Sequence, residues 1–237
     1  MRQGRARPIS RVEVRESARG RALCVDGTFA SLLRPGRVTT GSVWDALAAP
    51  LLSLSPERRE RVLLLGLGGG SVARLARALL PRARIVGVER DPRVLAVARQ
   101  HFQLDALSLE VVLDDAQHYL TQASEAFDAV LEDIFVGSGR RVRKPDWLPE
   151  PGLTLAAARL RPGGLLVTNS LDEWPSARRV LRARLGRVVS IEVEGYDNRI
   201  LAAGPTALSA KDLRAAVAAH PVLAATLPKL RLRMLRG

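Results

Sequence analysis

The stretch from Arg61 to Leu80, RVLLLGLGGGSVARLARALL, places four glycines within five positions between two apolar runs. The first run has the length and composition of a buried strand, and the second repeats its apolar residues at helical spacing. Glycine reaches positive φ and lets a ligand approach the main chain. We expect a strand, a tight turn at a binding site and a helix; a turn that binds nothing is the alternative. The glycines are Gly66, Gly68, Gly69 and Gly70.

Strand-like and helix-like segments alternate from Arg61 onward. Seven strand-like runs are recognisable: RVLLLG, ARIVGVE, LSLEVVL, FDAVLED, GGLLVTNS, RVVSIEVE and NRILAAG. Strands separated by helices form parallel sheets covered on both faces. Only GYD separates the last two runs, which is too short for a parallel crossover, so we expect them to pair antiparallel. The pattern predicts an α/β fold with a Rossmann-like, seven-stranded, mostly parallel sheet.

The two ends of the chain differ from this central pattern. Residues 1–40 read as a loose tail followed by a small N-terminal β-hairpin, built from RVEVRES and RALCVDG. Residues 41–208 form the α/β domain. Residues 209–237 read as a C-terminal helix, capped by Ser209, and a basic tail.

The formal net charge of +13 is unevenly distributed. Residues 62–130 carry 7 Lys and Arg against 8 Asp and Glu, so the basic excess lies outside the glycine-bearing segment. Such an excess favours an affinity for polyanions. Only three of the 37 basic residues are lysines, which also fits the coding bias of a GC-rich genome. Aromatic residues are few and no common nucleic-acid motif is visible.

Several absences bear on location and cofactors. No apolar run reaches 18 residues, so no membrane span is expected. The basic first residues are not followed by an apolar segment, which argues against a secretory signal. The single cysteine, Cys24, cannot form an internal disulfide, and a cytoplasmic location is expected. No cluster has the spacing of a metal site, so no metal is expected.

Acidic residues stand at the ends of the next three strand-like runs. Ligands of parallel α/β sheets bind beyond these strand ends. Glu89, about 20 residues past the glycines, is placed to accept hydrogen bonds from ribose hydroxyls. Asp114 and Asp115 follow the third run, where a carboxylate can accept from an exocyclic amine; helix capping is the alternative. Asp133 follows the fourth run and would face the ligand, whereas Asp91 reads as a helix cap.

In this order the motifs resemble the class I S-adenosylmethionine (SAM) methyltransferase fold, and within it the spermidine synthase (aminopropyltransferase) family and its methyltransferase-like relatives. The resemblance runs from about Val12 to Gly204 and includes LCVDG, VLLLGLGGGSV, VGVERDPRVLAVA, DDAQHYL, FDAVLEDIFVG and RPGGLLVTN. It implies a SAM-type cofactor, no metal, and a homodimer formed through the N-terminal strands.

The resemblance also implies roles for individual residues. Gly66, Gly68 and Gly70 line the methionine end of the cofactor. Glu89 binds the ribose, and Asp115 binds the adenine amine. Asp133 stands where the family carries its catalytic aspartate, and accepts a proton or orients an amine; binding the cofactor's amino group is the alternative. The implied cofactor-binding positions are Gly66, Gly68, Gly69, Gly70, Glu89, Asp114, Asp115, Ala116 and Asp133.

Two departures from the family pattern bear on the reaction. Aminopropyltransferases carry an acid in the glycine loop, where this chain has Gly69, and a second acid after the catalytic aspartate, where it has Val136. Ordinary SAM has a carboxylate, which such an acid would repel. We therefore expect a SAM-dependent methyltransferase. The alternatives are an aminopropyltransferase that uses decarboxylated SAM, a non-catalytic nucleoside-binding or interaction protein, and an NAD-binding protein.

The acceptor, a small molecule or a protein, is not identified by the sequence. In the family the segment GSGRRVRKPDW covers the acceptor site. Here its Arg140, Arg141, Arg143 and Lys144 favour an acidic or phosphorylated acceptor. A solvated basic loop is the alternative. Trp44 is expected to wall the acceptor site, with simple core packing as the alternative.

Overall fold

The computed structural model describes residues 11–205 and 208–235, except for the side chain of Arg140. The predicted loose tail at residues 1–10 lies outside the described residues. Two sheets are present, one of eight strands and one of three. Nearly all of the predicted strands and helices are present in the expected order. Their apolar residues recur at the spacing of a strand or a helix, and this local pattern determines which element forms.

The main sheet confirms the predicted α/β class. Its first five strands run parallel to one another, in the order β8, β7, β4, β5, β6, and its last three extend it antiparallel in the order β11, β9, β10 beside β8. The strands are β4 (Arg61–Leu65), β5 (Arg84–Glu89), β6 (Glu110–Leu113), β7 (Phe127–Glu132), β8 (Leu160–Ser170), β9 (Val188–Val193), β10 (Arg199–Ala203) and β11 (Leu230–Leu235).

Helices cover both faces of this sheet. Alternate strand residues point to opposite faces, so Leu64 packs in one core and its neighbours Leu63 and Leu65 pack in the other. The first core holds α1, α2, α3 and α7, and the second holds α4, α5 and α6. The helices are α1 (Val43–Ala48), α2 (Ser71–Leu79), α3 (Pro92–Phe102), α4 (Ala116–Gln122), α5 (Gly152–Ala158), α6 (Trp174–Leu185) and α7 (Ala210–Ala219). None of these described helices has the length and apolar character needed to span a bilayer.

The small antiparallel sheet has one strand more than the predicted hairpin. After β1 (Val12–Ser17) and β2 (Gly20–Val25) comes β3 (Thr28–Leu33). Asp26 and Gly27 form the two-residue connection, with φ of +51° and +78°. An Asp-Gly pair between two strand-like runs is a strong hairpin signal, so the sequence did contain the sign of the third strand.

The chain's last elements also join the main body. Ser209 caps α7 as expected, since its hydroxyl accepts a hydrogen bond from the Asp212 main-chain N–H at 3.0 Å. The segment expected as a basic tail forms β11, an eighth strand paired with β9. In LRLRML the apolar side chains of Leu232 and Met234 pack on the core, while the alternate arginines stay exposed at the sheet edge.

Candidate active site

A cavity of about 770 Å³ lies at the carboxyl ends of the parallel strands. Its walls come from the glycine loop after β4, the ends of β5 to β8 and the Asp26–Ser31 part of the small sheet. The volume falls within the usual size of a small-molecule site. The cavity therefore stands where the sequence placed the ligand.

The glycine loop is held close to its neighbours on two sides. Gly66 has φ of +85°, and a Cβ there would lie 2.7 Å from the main-chain oxygen of Asp133. The Gly68 N–H donates to Oε2 of Glu89 at 3.0 Å, which ties the loop to the end of β5. The loop residues Gly66, Leu67 and Gly68 face the cavity. Only glycine fits at position 66, because the main chain of the loop lies so close to that of Asp133 there.

Gly69 is glycine for a different reason. Its N–H donates to Oγ of Ser31 at 2.7 Å, on the small sheet. A Cβ at this position would lie 2.8 Å from Cβ of Ser31 and 3.1 Å from the ring of Phe102. Gly69 is also not among the residues that line the cavity. The position that carries an acid in the aminopropyltransferase pattern therefore has no room for a side chain in this chain.

Glu89 is fixed at the cavity wall by main-chain donors. Oε1 accepts from the N–H groups of Arg90 at 2.9 Å and Asp91 at 3.1 Å, while Oε2 accepts from Gly68. A carboxylate has about four lone-pair positions, so at least one remains for a ligand hydroxyl. Its assignment to ribose stays a prediction. Asp91 caps α3 through a 2.9 Å bond from the Arg93 N–H, as predicted.

For the acidic pair after β6, the structure shows the helix capping that was one of the two interpretations. Oδ1 of Asp115 accepts from the N–H groups of Gln117 and His118, which caps α4. Asp114 contacts Nδ1 of His118 at 2.8 Å. Both aspartates, together with Ala116, line the cavity. Capping thus fixes Asp115 at the cavity wall, and the predicted contact with adenine stays a prediction.

Asp133 lies half-buried directly after the end of β7, between two side-chain donors. Trp44 donates from Nε1 to Oδ2 at 2.9 Å, and Asn169 donates from Nδ2 to Oδ1 at 2.8 Å. Asn198 in turn donates to Oδ1 of Asn169 at 2.9 Å. Burial raises the pKa of Asp133, and the charge of Lys144 and these two donors oppose that rise. The arrangement orients a carboxyl group whose proton affinity is increased.

Two asparagines of this network were not identified from the sequence. Asn169 stands at the end of the fifth parallel strand, in VTNS, and Asn198 begins the run NRILAAG. A polar residue at the carboxyl end of β8 is the signal that marked Glu89 and Asp133 on earlier strands. The same signal could therefore have identified Asn169 as a site residue. No feature of the sequence around Asn198 indicates its role.

Trp44 packs in the core and also lines the cavity, whereas its place in the wall of an acceptor site stays a prediction. Its indole is 4% exposed and packs in the core, yet it also lines the cavity and binds Asp133. Phe29 stacks edge-on against it with the ring centroids 5.0 Å apart. The helix α1 and the small sheet thus close the site beside the candidate catalytic carboxylate.

The loop after β7 differs from the expected basic wall. Lys144 is buried and binds both carboxylate oxygens of Glu132, at 2.7 and 2.9 Å. Arg143 pairs with Asp146 at 2.6 Å. Arg141 is exposed and is not among the cavity-lining residues, and the side chain of Arg140 lies outside the described part of the chain. The expectation that Lys144 forms part of a basic wall was wrong, because its charge is used to neutralise a buried acid.

The cavity is in fact acidic. Its described lining holds eight carboxyl-bearing side chains and one guanidinium, that of Arg90. The carboxyl groups belong to Asp26, Glu89, Asp91, Asp114, Asp115, Asp133, Asp172 and Asp197. This lining favours a cationic ligand and runs against the expected acidic or phosphorylated acceptor.

Residues 62–164 match the family described as "Methyltransferase domain". The probable spermidine synthase of Corynebacterium glutamicum superposes on this chain with a TM-score of 0.75 at 19% identity, covering 95% of this chain and 88% of the other. The chain has the spermidine synthase-like class I methyltransferase fold. Human methyltransferase-like protein 13, solved in complex with SAH, superposes with a TM-score of 0.59 at 23% identity, over 80% of this chain and 91% of that one.

Two curated relatives are named for different activities. The polyamine aminopropyltransferase of Aeropyrum pernix is 29% identical over 209 residues, which covers 82% of this chain and 62% of the relative. The eEF1A lysine and N-terminal methyltransferase homolog of Drosophila melanogaster is 43% identical over 97 residues, 39% of this chain and 14% of the relative. The chain thus spans less than two thirds of either protein. Both matched relatives are named as transferases.

The site residues of the spermidine synthase-like fold suit a SAM-type nucleoside. The cavity volume, the main-chain surface at Gly66 and the fixed carboxylate of Glu89 supply room, close backbone approach and a hydroxyl acceptor in one place. Within the described ranges, no group of three His, Cys, Asp or Glu side chains is arranged to hold a metal ion. The residues present therefore fit the organic cofactor that the fold implies.

Proposed function

We propose that this protein is a SAM-dependent methyltransferase that acts on a nucleophilic acceptor bound beside Asp133. One observation carries the choice of SAM: the cavity-lining residues of the glycine loop, Gly66, Leu67 and Gly68, carry no acidic side chain. Two carboxylates ~4 Å apart repel by about 4 kcal/mol at an effective dielectric of 20. A loop without an acid removes that penalty for the carboxylate of SAM.

The cofactor would lie along the strand ends. Glu89 accepts hydrogen bonds from ribose hydroxyls, and Asp114, Asp115 and Ala116 form the adenine end. The main chain of the glycine loop lies against the amino-acid end. When bound, SAM supplies a carbon already activated by its sulfonium sulfur, so this chain mainly orients the reactants.

Asp133 acts on the acceptor. Trp44 and Asn169 hold its two oxygens, which leaves lone pairs directed at the cavity. Its raised pKa makes it an effective proton acceptor once ionised. It takes the proton of the nucleophile or orients an amine, and the surrounding carboxyl groups favour an acceptor that is cationic or basic.

Cofactor preference tests the proposal. Isothermal titration with SAM, SAH, decarboxylated SAM and methylthioadenosine should show tighter binding of SAM and SAH than of the two molecules that lack the carboxylate. Tighter binding of decarboxylated SAM would reverse the assignment. No binding of any of the four would favour a non-catalytic interaction protein, whereas binding without turnover would favour a non-catalytic nucleoside-binding protein.

An aminopropyltransferase is the second candidate. The acidic cavity supports it, because a polyamine acceptor is polycationic, and so does the Aeropyrum pernix relative. The two reactions differ in their nucleoside product: methyl transfer yields SAH, and aminopropyl transfer yields methylthioadenosine. Mass spectrometry of the nucleosides formed from each donor, with putrescine and spermidine as acceptors, separates them.

The assembly and location expected from the sequence stay predictions. The N-terminal strands are the segment on which the family resemblance places a homodimer contact. Light scattering of the purified chain measures its mass directly. Cytoplasmic location is tested by fractionation of the source cells.

A further inference from the structure

A second cavity of about 530 Å³ lies between the small sheet and the helices α2 and α3. It shares no lining residue with the candidate active site. Its charged lining consists of Glu16 and four arginines, Arg21, Arg34, Arg37 and Arg74. No part of the proposed methyl transfer uses these residues.

Two of the arginines are held in place by main-chain carbonyl groups. Arg21 donates from Nη1 to the oxygen of His101 at 2.7 Å, and Arg74 donates from Nη2 to the oxygen of Phe102 at 2.5 Å. These carbonyl groups lie at the C-terminal end of α3, where the helix dipole favours cations. They orient the guanidinium groups but do not neutralise them.

Arg74 is also incompletely satisfied. Its Nε is buried and has no hydrogen-bond partner in the described structure. Burial lowers the pKa of Arg74, because its charge is partly removed from water. A nearby anion would offset that cost.

The other two arginines stand on a tight turn. Arg34 and Arg37 flank Pro35 and Gly36, and the Arg37 N–H donates to the Arg34 oxygen at 3.1 Å. Arg34 makes a long bond of 3.4 Å to the oxygen of Thr39. The guanidinium of Arg37 makes no hydrogen bond or ion pair with any residue that the structure describes.

The carboxylates nearby leave most of this charge uncompensated. Glu16 pairs with Arg21. Burial raises the pKa of Asp45, and the positive charge of Arg34 opposes that rise. The carboxylate oxygens of Asp45, however, accept hydrogen bonds from Thr40 and Gly41 and not from Arg34. Three guanidinium groups thus face one cavity without a carboxylate bonded to them.

We propose that this cavity binds a small phosphate-bearing molecule. Guanidinium groups form paired, charge-assisted hydrogen bonds to phosphate oxygens, and three arginines without a bonded carboxylate line this cavity. The volume is that of a small-molecule site. The lining contains no aromatic residue to stack a base, so recognition rests on the phosphate.

Inorganic pyrophosphate is the probe for this site. Calorimetric titration of the full chain at fixed ionic strength should show saturable binding of one pyrophosphate per chain. Arg37→Gln should weaken it at least tenfold. Arg187→Gln is the matched control, because Arg187 is exposed and lines neither cavity. This substitution removes the same charge, and the affinity for pyrophosphate should stay unchanged. Thermal unfolding of both variants verifies that they fold.

Three results would overturn the site. Equal weakening by both substitutions would show diffuse attraction to a basic protein. Absence of saturable binding at millimolar pyrophosphate would show that the arginines do not form a phosphate site. Loss of pyrophosphate binding in the presence of saturating SAH would place the ion in the candidate active site instead.

Discussion

Trp44 and Asp133 lie 89 positions apart in the sequence and are joined by a 2.9 Å hydrogen bond from the indole Nε1 to the carboxylate Oδ2. The bond connects the first helix to the end of a central strand, and it orients the candidate catalytic group. It also supplies a donor that opposes the rise in the pKa of Asp133 caused by burial.

Trp44→Phe should keep the packing of the ring and remove this donor. A hydrogen bond to a charged group is worth about 1.5–3 kcal/mol, so unfolding in urea should show a loss of that order. The pKa of Asp133 should rise further, which moves the acidic limb of the pH–rate profile to higher pH. Trp147→Phe is the control, since Trp147 lines the same cavity and its indole has no hydrogen bond within the described chain. Equal effects of the two changes would contradict the assigned role.

Asp133→Asn should change how stability depends on pH. In the wild type, the pKa of Asp133 is raised above its ordinary value of 3.8 in the folded state, so between these two pKa values the folded state binds more protons and stability falls as pH rises. The asparagine does not titrate. Its free energy of unfolding should therefore improve relative to wild type as the pH increases above 3.8. Urea unfolding across pH measures this, with exposed Asp105→Asn as the control; a pH-independent difference would refute it.

Lys144→Met should leave the fully buried Glu132 without its cation. Breaking a buried pair from one side costs about 3–5 kcal/mol, whereas replacing both partners by apolar groups is often neutral. The double variant Glu132→Leu with Lys144→Met should therefore recover most of the loss. Denaturant unfolding provides the measurement, and Lys229→Met, at an exposed lysine, provides the control. A loss below about 1 kcal/mol in the single variant would show that the pair is dispensable.

Gly69→Ala should destabilise the protein through crowding rather than through charge. The added methyl would lie 2.8 Å from Cβ of Ser31, and overpacking of this kind costs about 1–3 kcal/mol. Ser31→Gly removes the obstructing atom, so the double variant should lose less than the sum of the single losses. Strict additivity in a double-mutant cycle would contradict the steric explanation.

Glu89→Gln should weaken nucleoside binding. The substitution keeps one acceptor oxygen but removes the charge that strengthens hydrogen bonds from ribose hydroxyls and from Gly68. We expect the dissociation constant of SAH to increase about tenfold or more. Glu110→Gln, a half-exposed carboxylate at the start of β6, should leave it unchanged. An unaltered affinity in Glu89→Gln would remove this residue from the cofactor site.

Much of the site was predictable because its signals are local. The glycine turn, Glu89, Asp115 and Asp133 each follow a strand-like run, and strands that run parallel bring their carboxyl ends to one edge. The third strand of the small sheet was equally marked by its Asp-Gly turn, although the prediction passed over it. Asn198 carried no such mark, because its role depends on Asn169 from a neighbouring strand.

The sequence by itself determined the order of strands and helices, the antiparallel pairing of β9 and β10, and the edge of the sheet where the ligand site lies. These follow from side-chain periodicity and connection length, which act over a few residues. Only the tertiary structure decided that a chain of net charge +13 encloses an acidic cavity, that Lys144 is turned inward to Glu132, and that LRLRML completes the sheet. The physical reason is that net charge is a sum over all side chains and contains no information on their positions. Burial and pairing between segments distant in sequence decide where each charged group lies.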